Sequence, residues 1–134
     1  MNAEQLTKYF RNNYNKLLPE LTLLIKEKSV YGSVRDYSKK NEQSGQIDFI
    51  FRKGNVRYIT EVDMSSDRWH CFKILAYRSA YIIDDPTARK ELVKCLVIIS
   101  EKIWNPNQRN ILAFLNISWV VLNEQGEVFA KEYF

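Results

Sequence analysis

The chain is poor in the residues that build several common functional sites. Its four glycines are scattered, so no glycine-rich loop is present to cradle a phosphate. His70 is the only histidine and no second Cys–His pair accompanies it, which argues against a structural zinc site. The two cysteines, Cys71 and Cys95, form no close-spaced motif, and we expect both to be reduced and buried.

Long apolar segments are missing as well. No run approaches the roughly 20 residues that a membrane-spanning helix needs, and the first residues, MNAEQLTKYFRNN, contain no apolar signal core. We therefore expect a cytoplasmic protein with no membrane-embedded part. The 134 residues show no repeat or linker and suit a single domain over residues 1–134. The net charge of +4 gives a mild bias towards polyanions.

Hydrophobic periodicity predicts an α/β or α+β fold, in which helices flank a mixed central sheet. The N-terminal segment has helical spacing, and Pro19 reads as the first residue of a second helix. A nearly continuous apolar run at 92–100 predicts a strand at the centre of a covered sheet. Further helices are expected over residues 68–83 and 105–116, a strand over 30–38, a polar loop over 39–45 and a terminal hairpin over 117–134.

The segment from Ser44 to Asp63 predicts a β-hairpin. Two runs rich in β-branched and aromatic residues, 47–53 and 56–62, flank the two-residue turn signal Gly54-Asn55. One face of the hairpin is expected to be core, with Ile47, Phe49 and Phe51 opposite Val56, Tyr58, Thr60 and Val62.

The other face of this hairpin carries acidic residues. With a two-residue turn, Asp48 faces Glu61 and Gln46 faces Asp63, and the period of two places all four on one face. Directly opposed Cβ atoms lie ~4.5–5.5 Å apart, so two carboxylates there repel each other. A divalent cation or a shared proton would compensate. A longer turn, or full solvation of both acids, is the alternative.

The helix that follows the hairpin brings a lysine to the same region. Trp69, Phe72, Ala76 and Ala80 form an apolar stripe at helical spacing, and Lys73 lies beside that stripe. Its stem either packs along the core while the ammonium group reaches water, or the ammonium group acts beside the acids.

These residues resemble a known family. The segment from Gly45 to Asp48, a tight turn, and Glu61-Val62-Asp63 before a helix are similar to the PD-(D/E)XK nuclease superfamily, which places an acidic residue on one hairpin strand and Glu-x-Lys on the next. The resemblance covers most of the chain. It implies a restriction-endonuclease-like fold and an endonuclease or resolvase that depends on Mg²⁺ or Mn²⁺ and acts on DNA in preference to RNA. Many small relatives are homodimers, so a homodimer is expected.

The sequence departs from this pattern at two positions. Ile47 replaces the proline before the first acid, and Asp63 replaces the lysine that orients or activates the attacking water. Some relatives carry that lysine on the following helix, where Lys73 lies. Alternatively, Asp63 is a further metal ligand, or the site is inactive. An acidic residue on the first helix often completes the metal site, and Glu4 and Glu20 are the candidates.

The resemblance therefore assigns roles to a small set of residues. The expected catalytic residues are Asp48, Glu61, Asp63 and Lys73, and the expected metal ligands are Asp48, Glu61 and Glu20.

Basic residues near the hairpin turn suggest a nucleic-acid contact. Arg52 and Arg57 face each other, with Lys53 beside them, and two opposed arginines repel unless they meet an anion such as a phosphate. Lys39 and Lys40 extend this patch. Solvated charges at the tip are the alternative.

Three functional classes follow. The first is a metal-dependent nuclease, and the second is an inactive nuclease-like fold that binds nucleic acid or a protein. The third is an interaction protein of unrelated fold in which the acids are merely solvated. Trp104 and Trp119 could stack single-stranded bases, although core packing is the alternative.

Overall fold

A computed structural model describes residues 1–31, 45–63 and 68–134, including all of their side chains except those of Arg68 and Trp69. Three α-helices and six β-strands account for most of these residues, with short 3₁₀ turns between them. In chain order the elements are α1 (Ala3–Leu17), β1 (Thr22–Val30), β2 (Gly45–Lys53), β3 (Val56–Val62), α2 (Arg68–Asp84), β4 (Leu92–Ser100), α3 (Arg109–Phe114), β5 (Ile117–Leu122) and β6 (Val128–Glu132).

The fold is α+β, with one mixed six-stranded sheet flanked by helices, as the sequence predicts at this level. The strands lie in the sheet in the same order as in the chain. β1, β2 and β3 form an antiparallel meander, β4 and β5 run parallel to β3, and β6 returns antiparallel to β5. Helices α2 and α3 provide the two connections between parallel strands, as parallel pairing requires. Within the described residues, no helix is long and apolar enough to cross a membrane.

The sheet is covered on both faces. On one face, Phe10 of α1 makes edge-on contacts with Phe49 and Phe51, with ring centroids 5.1 and 6.1 Å apart. On the other face, α2 buries Ile50 and Ile59. Only one face of the hairpin was expected to lie in the core. This is wrong, because helix α2 also covers the face that carries the acids. Ile47, expected beside the two phenylalanines, packs in the α2-side core.

The hairpin between β2 and β3 has the predicted register. Lys53 pairs with Val56 and Phe51 pairs with Tyr58 across the turn. Gly54 has a φ of 59°, a left-handed conformation that glycine adopts without strain. The described parts of α2, β4, α3 and the terminal hairpin also lie where the sequence predicts them.

The prediction of a second helix beginning at Pro19 is wrong. Residues from Thr22 onward form β1, which pairs along most of its length with β2. From Thr22 to Lys26, exposed and partly buried side chains alternate, as they do in a strand. Pairing with a neighbouring strand therefore outweighs the helix propensity of this segment. The strand expected over 30–38 and the loop expected over 39–45 fall mostly outside the described residues.

The apolar stripe predicted for α2 is also wrong in part. Phe72 is 55% exposed and Ala76 is exposed. Apolar residues occur on every side of this helix, so periodicity alone does not select the buried one. Both cysteines are free and buried, as expected. The side of α2 that packs into the core carries Cys71, Ile74, Ala80 and Tyr81.

Candidate functional site

The structure brings Asp48 and Glu61 together. Glu61 lies near the end of β3 and is 5% exposed, while Asp48 lies half-buried on β2. The two carboxyl groups are close enough for Asp48 to act on the pKa of Glu61. Asp48 Oδ2 also accepts a hydrogen bond from the Val62 amide at 3.0 Å, which fixes this carboxylate between the two strands.

The environment of Glu61 favours its neutral form. Burial raises the pKa of Glu61 to about 9, and the hydrogen bond and negative charge of Asp48 act in the same direction. Lys73 lowers this pKa and Asp63 raises it. Without a cation, the raised pKa keeps a proton on Glu61 near neutral pH, which removes one of the two negative charges.

One oxygen of this pair has no hydrogen-bond partner. Glu61 Oε1 is buried and accepts no hydrogen bond within the part of the chain that the structure describes. A buried acceptor without a donor is rare in proteins and indicates a place for a water or a cation. Mg²⁺ is bound through one or two carboxylates and keeps several waters, so Asp48 and Glu61 fit it. Among the described residues, however, no three His, Cys, Asp or Glu side chains form a group that could hold a metal ion.

Asp63 is held by a histidine to which the sequence pattern gives no role in the site. Asp63 Oδ2 lies 3.3 Å from His70 Nε2, and the Asp63 amide donates to the Ile98 carbonyl at 2.9 Å. Asp63 follows β3, and His70 lies in the first turn of α2. The start of α2 therefore folds back over the end of β3. The sequence signal for this contact is weak, because it depends on where the helix begins.

Lys73 lies one helical turn beyond His70 on α2. Its side chain is exposed, and Nζ is 5.7 Å from the centroid of the Tyr77 ring. Its positive charge acts on the pKa of Glu61, which places it within electrostatic reach of the acid pair.

Glu20 and Glu4 lie away from this cluster. Glu20 accepts hydrogen bonds from Tyr133 Oη at 2.6 Å and from Lys131 Nζ at 3.3 Å. Tyr133 packs in the core on the α1 side of the sheet, opposite the face that carries Glu61. Glu4 is exposed in the first turn of α1. The structure therefore does not bring Glu20 to Asp48 and Glu61.

The two opposed arginines do meet an anion, but the anion belongs to the chain. Glu91 Oε2 accepts from Arg57 Nε at 2.8 Å, and Glu91 Oε1 is bonded to Arg52 Nη2. Arg57 is 8% exposed. Its remaining donors bond Tyr81 Oη at 2.6 Å, Asp85 Oδ2 at 3.3 Å and Thr87 Oγ1 at 3.2 Å.

This network makes Arg57 a structural residue rather than a surface contact for phosphate. Arg52 keeps partial exposure, with 37% of its side chain accessible. Lys53 is exposed beside the turn. Lys39 and Lys40 lie outside the described residues.

Comparisons with known proteins identify no relative. No family model matches the chain, and no curated protein or solved structure matches it.

Proposed function

We propose that the chain is a metal-dependent nuclease that hydrolyses phosphodiester bonds, with DNA as the preferred substrate. The contact between Asp48 and Glu61 supports this proposal most strongly, because a buried acid beside a half-buried one, with one buried oxygen left without a donor, suits a hard cation. Bound Mg²⁺ or Mn²⁺ would lower the pKa of a water and offset negative charge on the scissile phosphate.

The chain's own residues have distinct tasks in this proposal. Asp48 and Glu61 bind the cation, and the Val62 amide holds the Asp48 carboxylate in position. Lys73, whose side chain is exposed, stabilises the charge that develops on the phosphate. Asp63 positions His70 at the rim of the site rather than replacing the lysine of the Glu-x-Lys pattern.

The element order supports a restriction-endonuclease-like arrangement as part of this proposal. The acids lie on an antiparallel hairpin, α2 follows on the same face, and β4 pairs parallel to the acidic strand β3. A domain this small would recognise a substrate as a homodimer or with a partner.

The proposal is tested by calorimetric titration of Mn²⁺ into the purified protein, followed by cleavage of labelled branched, single-stranded and duplex DNA. Wild type is expected to bind Mn²⁺ and cut, and Asp48→Ala is expected to do neither. Glu4→Ala, which removes an exposed acid of α1, is the matched control and should behave as wild type. Absence of Mn²⁺ binding by wild type would overturn the proposal.

One observation favours a second function, a nuclease-like fold that binds nucleic acid without cutting it. The proton that the raised pKa keeps on Glu61 and the pairing of Asp63 with His70 let these acids be compensated without a metal. A protein that binds DNA equally well in wild-type and Asp48→Ala forms, and cuts no substrate with Mn²⁺, would support this alternative.

A further inference from the structure

Trp119 stands in the same row of the sheet as Glu61. Glu61 pairs with Val97 across β3 and β4, and Val97 pairs with Trp119 across β4 and β5. Paired residues point to the same face, here the face that α2 covers. Neighbouring strands are ~4.8 Å apart, so Trp119 begins roughly 10 Å from Glu61.

A second indole and a guanidinium cover Trp119. The rings of Trp104 and Trp119 are stacked, with centroids 4.5 Å apart and an angle of 30° between the planes. Arg109 Cζ lies 5.8 Å from the centroid of the Trp119 ring. Trp119 is 3% exposed and held by its strand, whereas Trp104 is partly exposed and Arg109 is exposed.

Trp119 also has an unused hydrogen-bond donor. Its Nε1 is buried and donates no hydrogen bond within the described residues. Buried donors are nearly always satisfied by the protein, by water or by a ligand. The same row of the sheet therefore holds a donor without an acceptor on Trp119 and an acceptor without a donor on Glu61.

We propose that Trp104 and Arg109 bind an unpaired nucleobase and its backbone phosphate, next to the phosphodiester held at Asp48 and Glu61. This inference rests on the proposed function and specifies its substrate as single-stranded nucleic acid or the unpaired arm of a branched one. An aromatic side chain stacks on the flat face of a base, and in a duplex the neighbouring base pairs cover that face. Because every base has such a face, the contact selects unpaired strands and not a sequence.

The chemistry of the two residues suits this ligand. Base–aromatic stacking contributes ~1–3 kcal/mol per base at such sites, and an exposed arginine adds attraction for phosphate. Trp104 rests on a ring that is fixed in the sheet, so little conformational entropy is lost when a base stacks on it. Core packing accounts for Trp119, which is buried, but not for the accessible part of Trp104.

The test measures binding without catalysis. Metal-free protein in EDTA is titrated into a fluorescein-labelled oligothymidine and into a duplex of equal length, with anisotropy as the readout. We expect wild type to favour the single strand, Trp104→Ala to lose roughly tenfold or more in affinity for it, and Trp104→Phe to lose less. Arg109→Ala should also weaken this binding. Phe114→Ala, which removes an aromatic ring that is 87% exposed, is the matched control and should not change it.

A folded Trp104→Ala protein that binds the single strand as wild type does would overturn the inference. If Trp104→Ala does not fold, unchanged affinity in both Trp104→Phe and Arg109→Ala would overturn it. Its failure is distinguishable from that of the proposed function. Cleavage that requires Asp48 but not Trp104 would refute only the base contact, whereas Trp104-dependent binding without any cleavage would refute only the catalysis.

Discussion

Asp48 and Glu61 bring two carboxyl groups close together across the antiparallel strands β2 and β3. This contact is unfavourable when both groups are ionised, because like charges at this distance repel in a poorly solvated site. A protein without a cation therefore keeps a proton on the pair. The chain tolerates this cost at one end of the hairpin, whereas at the other end Arg57 and Glu91 form a partly buried ion pair.

The first prediction concerns the stability of the metal-free protein against pH. The folded-state pKa of Glu61 is raised from 4.5 to about 9, so its stabilising effect is complete below pH 4.5 and is lost as the pH rises towards 9. Glu61→Gln removes the ionisation. We expect the variant to gain roughly 2–4 kcal/mol over wild type between pH 5 and pH 8 in urea unfolding. Glu132→Gln is the control, and an identical pH dependence in Glu61→Gln and wild type would contradict the prediction.

The second prediction tests whether Arg57 stabilises the fold, in contrast to the exposed Lys53 beside the hairpin turn. Arg57→Met removes the buried guanidinium and with it the hydrogen bonds to Tyr81 Oη and Asp85 Oδ2. We expect a loss of roughly 1–3 kcal/mol in unfolding free energy, because buried Tyr81 loses its charged partner while the carboxylates of Glu91 and Asp85 are partly exposed to water. Lys53→Met, at an exposed position beside the turn, should leave stability unchanged. Equal stability of the two variants in denaturant titrations would show that the network around Arg57 contributes little.

The third prediction concerns the stability of the protein at low pH. Hydrogen bonds from Arg52 and then Arg57 lower the pKa of Glu91 to about 2. A depressed folded-state pKa gives stability that is present above pH 4.5 and is lost as the pH falls towards 2. Glu91→Gln should therefore start less stable at pH 6 and lose less stability between pH 5 and pH 2 in thermal unfolding. Glu127→Gln, an exposed carboxylate near the terminal turn, should keep the wild-type slope. If Glu91→Gln loses as much stability as wild type between pH 5 and pH 2, Glu91 does not contribute to the acid sensitivity of the fold.

The sequence alone predicts those parts of the fold that depend on residues close together in the chain. The two-residue turn signal at Gly54 and Asn55 predicts the register that the hairpin adopts, and this register brings Asp48 close to Glu61. The segment that forms β1 cannot be predicted this way. It contains good helix formers, and only its pairing with β2, which is remote in sequence, makes it a strand.

Other contacts of the site depend on how distant elements come together. Glu91 reaches Arg57 because the chain enters β4 beside the hairpin turn, where the Leu92 amide bonds the Asn55 carbonyl at 3.2 Å. His70 reaches Asp63 because α2 begins above the end of β3. No local pattern carries this information, so the sequence suggests a phosphate between the arginines and gives His70 no role beside Asp63.

The last prediction tests whether Lys73 acts on the acid pair or only packs beside Tyr77. Lys73→Met keeps most of the aliphatic stem and removes the charge. Since Lys73 lowers the pKa of Glu61, its loss should raise that pKa further, measurable from side-chain carboxyl ¹³C shifts in an NMR titration without metal. Under the proposed function, cleavage should fall roughly 100-fold or more while Mn²⁺ still binds.

Lys73→Arg retains the charge, so it should leave the pKa of Glu61 near its wild-type value. Lys26→Met is the control, because Lys26 of β1 also lies over a tyrosine ring, with Nζ 5.5 Å from the centroid of Tyr14 of α1. If Lys73→Met changes neither the Glu61 titration nor cleavage, the lysine only packs against Tyr77. The charge that stabilises the transition state would then have to come from another residue near Asp48, and His70, paired with Asp63, would be the next to substitute.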